Sequence, residues 1–294
     1  MDRFDEMRVF ARVVETRGFR KAAHILGMPA STVTDAVKRA EQRLGARLLD
    51  RTTRRVSPTP EGADWYRRCL AILNAVEDAE AVFRGGEPEG LLRIDAHGKL
   101  ARHFLIPGLP DFLARHPRLD LFLSEGDRLV DPIREGADCV IRVGTLGDGD
   151  LMVRRLGDLA EVTVASPAYL DRHGHPRSID DLEGHRAVAF HSSATGMTIP
   201  LEFNLGDRVV ERTVPAAITV TAGETMVAAA RQGMGLIQVP RYHLAEDLAT
   251  GRLVEVLPRH PPTPSPVSAL YPRDRQLSPR LRVFLDWLKR IDFG

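Results

Sequence analysis

The chain has 294 residues, 43% hydrophobic and 28% charged, the make-up of a soluble globular protein with about two or three domains. No apolar run reaches the ~18 residues of a membrane span, and the opening Met1-Asp2-Arg3-Phe4-Asp5-Glu6 has no apolar signal core, so a cytoplasmic protein is expected. The net charge of +1 conceals a basic head, 13 Lys/Arg against 7 Asp/Glu in residues 1–60, on an acidic remainder with 28 against 33; that asymmetry fits a polyanion-binding module joined to a different kind of binding module.

In chain order, Phe4, Met7, Val9, Phe10, Val13 and Val14 repeat at helical spacing over residues 4–16. A second helix with Ala22, Ala23, Ile25 and Leu26 follows, its adjacent alanines allowing close helix approach. Gly27-Met28-Pro29 is a tight turn, and Ala30-Ser31-Thr32-Val33-Thr34-Asp35-Ala36-Val37-Lys38-Arg39 opens a third helix whose Val33 and Val37, with Leu44 and Leu48, complete the core. Its small hydroxyl residues can reach base edges in a major groove. Leu48-Leu49-Asp50-Arg51-Thr52-Thr53-Arg54-Arg55-Val56 reads as a β-hairpin wing. Residues 1–59 thus form a winged helix-turn-helix. Ser31, Thr32, Thr34 and Asp35 are expected at base edges and nearby phosphates, and Lys38, Arg51, Arg54 and Arg55 on phosphates, with Arg54 at the wing tip aimed at a minor groove. The alternative for each cation is a solvated surface charge.

Thr59 and Glu61 suit the start of a long helix over residues 60–84. Its stripe of Trp65, Cys69, Ile72, Leu73, Val76, Ala79 and Phe83 is read as a dimerisation face, the alternative being packing on its own body. Gly85-Gly86-Glu87-Pro88-Glu89-Gly90 is a hinge, so residues 60–87 are linker. Strands at 91–96, 119–124 and 139–144 alternate with helices at 101–116, broken at its start by Pro107, and at 128–135. That βαβαβ order predicts a parallel sheet. A strand at 161–165 can leave this first lobe. Strands at 187–190, 217–220 and 236–239 with a helix near 224–232 make a second one. Residues 258–266 hold five prolines and are extended loop. A strand at 267–271 and a helix at 278–291 return to the first lobe. The expected lobes are therefore 88–162 with 267–294, and 163–266, enclosing a cleft.

Ligands in open α/β sheets bind beyond the carboxyl ends of strands. His97, Gly98 and Lys99 follow the first strand, Arg142 and Gly144 end the third, and in the second lobe His191 with Ser192 and Thr221, Gly223 and Glu224 occupy the matching places. These are the candidate lining of a small-molecule effector site, anionic given Lys99, Arg142 and His97. Two alternatives stay open: Arg142 as structural partner of a carboxylate such as Glu224, and His97 and His191 as satisfied or exposed histidines. Cys69 and Cys139 have no metal or redox spacing and read as reduced, packed residues. There is no nucleophile elbow, phosphate loop or dinucleotide fingerprint, Gly233-Met234-Gly235 is too short for a nucleotide loop, and His173-Gly174-His175 lacks matched ligands. No catalysis, metal or cofactor is expected.

On Gly18-Phe19-Arg20-Lys21-Ala22-Ala23, Ser31 to Val37, Glu41-Gln42-Arg43-Leu44-Gly45-Ala46-Arg47 and the wing, and in the body on Asp138 to Gly144, Ala165-Ser166-Pro167-Ala168-Tyr169-Leu170 and Gly233-Met234-Gly235-Leu236, the chain resembles the LysR-type transcriptional regulators over essentially its full length. The resemblance implies an α/β chain with an all-α winged head, a long linker helix and a two-lobed body like periplasmic binding proteins. It implies double-stranded DNA and a small-molecule effector as partners, RNA polymerase if the protein is an activator, and assembly as a homodimer or homotetramer. The alternative is a DNA-binding regulator or architectural protein that no longer responds to an effector. Three departures from the family pattern, Pro29 at the recognition-helix start, Ala30 in place of a polar residue and Asp35 in place of a basic or polar one, imply an altered operator preference.

Overall fold

The computed structural model describes residues 1–51, 56–83, 88–126, 136–144, 151–193, 195–273 and 277–293. The helix expected over 128–135, and Arg54 and Arg55 of the wing, lie outside the described residues. The first helix, α1 (Arg3–Thr16), starts on a capping box: the Asp2 carboxylate accepts from the Asp5 N–H at 2.8 Å, and Asp5 accepts in return from the Asp2 N–H at 3.1 Å. Then come α2 (Phe19–Leu26), closed by Gly27 in a left-handed conformation, and α3 (Ala30–Leu44). Met7, Val9, Phe10, Val13, Ala22, Ala23, Val33, Ala36, Val37, Ala40, Leu48 and Leu49 form the head's core. Phe10 is fully buried, which alone contributes about 1.5–3 kcal/mol. Phe4, Ile25 and Leu44, expected in this core, are exposed. They sit in the terminal turns of their helices.

The wing pairs β1 (Leu49–Arg51) antiparallel with β2 (Val56–Pro58). Helix α4 (Pro60–Phe83) then leaves the head. Its start is fixed by Thr59, whose hydroxyl donates to the Arg47 carbonyl at 2.7 Å and accepts from the Gly62 N–H at 3.0 Å. Gly62 lies so close to the wing's root that a Cβ there would meet the Leu48 carbonyl oxygen at 1.8 Å. The apolar stripe of α4 is only partly available to a second chain. Cys69 and Leu73 are buried in the head's own core, with Trp65 and Tyr66 packed beside them, and Leu70 faces Gly136 of the body. Ile72, Ala75 and Ala79 stay exposed. Part of the expected dimer face is therefore covered by α1, which the sequence pattern did not reveal because both partners read alike as apolar.

In the body, β3 (Gly90–Ala96), β4 (Leu119–Glu125) and β5 (Cys139–Val143) pair in parallel, as predicted. The sheet is nevertheless mixed, in the order β4-β3-β5-β15 (Ser265–Pro272)-β6 (Leu151–Leu159) among the described residues. The returning strand β15 (Ser265–Pro272) runs antiparallel to β5, and to β6 (Leu151–Leu159), which the sequence reading missed. At an edge of the sheet, with Arg154, Arg155 and Asp158 interrupting its apolar residues, β6 has no clean two-residue alternation to announce it. The chain from β3 to β4 is helical from Gly98 to Arg115 but in four registers: an α-turn (Gly98–Leu100), a π-turn (Ala101–Leu105), a 3-10 turn (Ile106–Gly108) and helix α5 (Leu109–Arg115). Pro107, which lacks an N–H, falls where the register tightens. This lobe's core joins Leu92, Ile94, Phe112, Ile141, Val267, Phe284 and Trp287, the last two from the C-terminal helix Pro279–Leu288.

The second lobe holds β7 (Glu161–Ala165) between β13 (Ile237–Pro240) and β14 (Val254–Glu255), both antiparallel to it. Beside them, β8 (Ala187–His191) pairs in parallel with β12 (Ala216–Val220) and antiparallel with β9 (Thr198–Ile199), and a parallel bridge from Ala187 to Leu236 ties the two sheets together. A hairpin of β10 (Leu201–Asn204) and β11 (Val209–Arg212) is additional to the expected strands.

Candidate functional site

In the head, the third helix is held with one face in the core and the other outward. Val33, Ala36, Val37 and Ala40 are buried, while Ser31, Asp35 and Lys38 are exposed, an i, i+4, i+7 stripe. Thr32 and Thr34 flank the stripe half-buried, and the Thr34 hydroxyl donates back to the Ala30 carbonyl at 2.8 Å, so its proton is already used. Two buried or half-buried carboxylates orient α3. Glu6 of α1, 5% exposed, accepts from Arg39 at 2.9 Å and from Arg43; burial pushes its pKa up, but the two arginines outweigh this and hold it below the usual carboxylate range. Glu41 accepts from the Leu48 and Leu49 amides at 2.9 and 3.2 Å, tying α3 to the wing. Arg51 lies in β1, in register with Val56.

In the body, Arg142 does not meet Glu224. Its side chain, 7% exposed, pairs with the equally buried Asp95 on the neighbouring strand β3 and also donates to the Ile141 carbonyl at 3.0 Å. Ser124 of β4 donates to the same Asp95 carboxylate at 2.6 Å. The positive charge assigned to an effector is therefore matched by a carboxylate inside the lobe. Glu224 pairs instead with Arg102, which reaches Glu125 and Glu224 at 2.7 Å each. Arg102 and Glu125 belong to the first lobe and Glu224 to the second, so this bridge clasps the two lobes together.

His97, Gly98 and Lys99 sit at the end of β3 beside this bridge. Gly98 is buried, and a Cβ on it would lie 2.6 Å from a Glu125 carboxylate oxygen. Facing them is His243, in the 3-10 turn Arg241–Leu244, with its ring centroid 6.0 Å from that of His97. His243 is 7% exposed. Burial above all, with the charges of His97, Lys99 and His103 adding, pushes its pKa down to about 3, so the ring is neutral. Its Nε2 lies 3.0 Å from the Tyr242 hydroxyl, whereas its Nδ1 is buried without a hydrogen-bond partner among the described residues. A Cβ on Gly223 would come within 3.6 Å of that Nδ1. Gly223 begins the helix Gly223–Arg231, whose cap position is Ala222, with no side-chain cap.

The remaining expected residues spread along the same strand ends. His191 ends β8 and pairs with Thr198, and Thr221 follows β12, whose Val220 is in register with Phe190. Ser192 is buried in a turn, its amide donating to the Met197 carbonyl at 2.9 Å and its hydroxyl accepting from the Thr195 N–H at 3.3 Å. Gly144 has φ 98° with open space where a Cβ would stand, and its amide donates to the Pro266 carbonyl at 2.9 Å. Thus His97, Lys99, Gly223 and Glu224 come together, Arg142 turns inward, and Arg102, Glu125 and His243 join the group unforeseen. No local motif marks His243; only the packing of one lobe on the other brings it to His97.

Residues 4–63 match the family model for the bacterial regulatory helix-turn-helix protein, lysR family, and residues 85–291 match that for the LysR substrate binding domain. The HTH-type transcriptional regulator YhjC of Escherichia coli (strain K12) is 38% identical over 99% of this chain and 98% of its own length. The HTH-type transcriptional regulator CrgA of Neisseria meningitidis is 33% identical over 97% and 95%. The solved structure of CrgA, titled as a LysR-type transcriptional regulator, superposes with a TM-score of 0.59 at 32% identity, covering 97% of each chain. The full-length structure of the Vibrio cholerae virulence activator AphB, at 24% identity and a TM-score of 0.57 over 98% of each chain, shares the fold.

Proposed function

Because the chain belongs to the LysR family of DNA-binding transcriptional regulators, with an effector-binding substrate domain behind its helix-turn-helix, we propose specific roles for its residues in operator recognition and effector sensing. The helix α3 enters a major groove with Ser31, Thr32 and Asp35 at base edges, Asp35 accepting from a cytosine amine, and with Thr34 contributing its apolar methyl while its hydroxyl stays bonded to Ala30. Lys38 and Arg51 hold phosphates, as do Arg54 and Arg55. The observation that carries this reading is the exposed stripe Ser31–Asp35–Lys38 on a helix whose opposite face is packed and whose orientation is set by Glu6 and Glu41.

The cleft between the lobes holds a small effector, and the Arg102 bridge from Glu125 to Glu224 is the contact its closure makes and its opening breaks. A ligand that binds one arrangement better shifts the lobes toward it, and through α4 shifts the spacing of the DNA heads. The protein works as a homodimer or homotetramer in the cytoplasm. The still-exposed Ile72, Ala75 and Ala79 of α4 offer what a partner helix needs, and RNA polymerase is the further partner if the outcome is activation. A DNase footprint on the intergenic DNA beside the protein's own gene tests the reading. Protection over several helical turns with a hypersensitive bend is expected, and protection of a single short half-site by a monomer would refute the assembly.

A further inference from the structure

We propose that Arg93 of the body is a positioning residue for DNA recognition. Its ion pair with Glu15 latches the head onto the first lobe of the same chain, a second connection beside α4 through which the lobe sets the direction of α3. Arg93 in β3 lies 2.9 Å from the Glu15 carboxylate near the end of α1, with 11% and 25% of the two side chains exposed. Both sides of the contact are prepared for it. The Glu15 carboxylate also accepts from the Tyr66 hydroxyl of α4 at 3.2 Å and pairs with Arg12 at 3.1 Å, so the head and α4 hold it in place without the body. Burial first, and the Glu15 charge second, push the Tyr66 phenol up to about 12, so it remains a donor to that carboxylate. On the lobe side Arg93 is clamped by its backbone. Its N–H donates to the Asp138 carboxylate at 2.8 Å, and its carbonyl accepts from the Asp138 N–H at 2.8 Å. The other Asp138 oxygen faces Asn74 of α4 at 3.4 Å and Arg280 at 3.7 Å.

Two further features make this pair a latch rather than part of a packed interface. A cavity of about 550 Å³ lies between head and lobe around it, with Arg8, Arg12, Glu77, Glu89 and Arg118 among its walls. A seam carrying so many charges admits water, so the contact is made and broken at small cost and weakens with salt. The second feature is leverage. Glu6, about 13 Å from Glu15 along the axis of α1, holds Arg39 at 2.9 Å and also Arg43, both in α3. Helix α1 is thus a stiff rod with the lobe near one end and the recognition helix near the other. Its counterpart in the body is β3, which runs from Arg93 past Asp95, paired with Arg142, to His97 beside the Arg102 bridge. A shift of the first lobe therefore reaches α3 through one strand, one ion pair and one helix, a path that does not depend on the chain joining α4 to β3.

The test uses the full-length protein with spin labels on Arg20→Cys in α2 and Asp120→Cys in β4, both exposed positions, while Cys69 and Cys139 are buried and stay unlabelled. Labelled chains are exchanged into an excess of unlabelled ones, so that pulsed dipolar spectroscopy reads the head-to-lobe distance within one chain. We expect one narrow distance in the parent, losing about half its amplitude or more in E15Q, in R93Q and in the parent at about 0.5 M salt. Charge reversal separates this from misfolding: E15R and R93E should each lose the narrow distance, and the two together should regain it. Affinity for a duplex selected from random DNA by the parent, measured without labels, completes the cycle. E15Q and R93Q should each change it by about threefold or more, and the double variant by no more than the larger single effect. Unchanged distances in R93Q, or a charge swap that regains no narrow population, would overturn the latch. A released head with unchanged affinity, or effects of E15Q and R93Q that multiply, would overturn its role in positioning α3.

Discussion

Replacing Arg142 with Met separates a structural arginine from a ligand-binding one. Arg142 and Asp95 are each under a tenth exposed and paired across β3 and β5, with Ser124 as a second donor to Asp95. The single change strands the Asp95 carboxylate in the lobe's core with, among the described residues, only the Ser124 hydroxyl to answer it. Losing one partner of a buried pair costs about 3–5 kcal/mol, because the remaining charge is left desolvated. Replacing both partners with apolar residues of similar volume removes the charge and the penalty together, so Asp95→Leu with Arg142→Met should recover most of that loss. Urea unfolding of the full chain, followed by circular dichroism, reads both values from the shift in midpoint at constant slope. A loss under about 1 kcal/mol for Arg142→Met, or a double variant no more stable than either single one, would refute the reasoning and return Arg142 to the pool of ligand contacts.

Other outcomes follow from the same geometry. Lys38→Ala should weaken binding to any duplex and lower the slope of log affinity against log salt by about 1, whereas Asp35→Ala should leave that slope nearly unchanged and alter the preferred base at one position of the selected operator. Gly62→Ala would drive a methyl into the Leu48 carbonyl, so thermal unfolding of the head should move down by several degrees with the body unaffected. His243, 6.5 in the unfolded chain and about 3 in the fold, binds its proton more readily when unfolded. Stability is therefore lost as pH falls from 6.5 towards 3, by about 1.4 kcal/mol per pH unit within that window. Comparing the pH profiles of the parent and H243N by thermal unfolding checks it, and parallel profiles would contradict the buried neutral ring.

The sequence determined the DNA-binding head almost alone. Its contacts are local: the helical spacing of Val33, Ala36, Val37 and Ala40 fixes which side of α3 is buried, and that leaves Ser31, Asp35 and Lys38 outward whatever the rest of the chain does. The βαβαβ order likewise dictated the parallel half of the first sheet. Tertiary structure decided what depends on residues far apart in the chain. It brought β15 and β6 antiparallel onto β5, gave part of the α4 stripe to α1, and paired Arg142 with Asp95 rather than Glu224. It also set His243 against His97 and stretched Arg102 between Glu125 and Glu224. Hydrophobic periodicity reports which face of an element avoids water, but not which other element covers it, and a charged side chain's partner is chosen by that covering element.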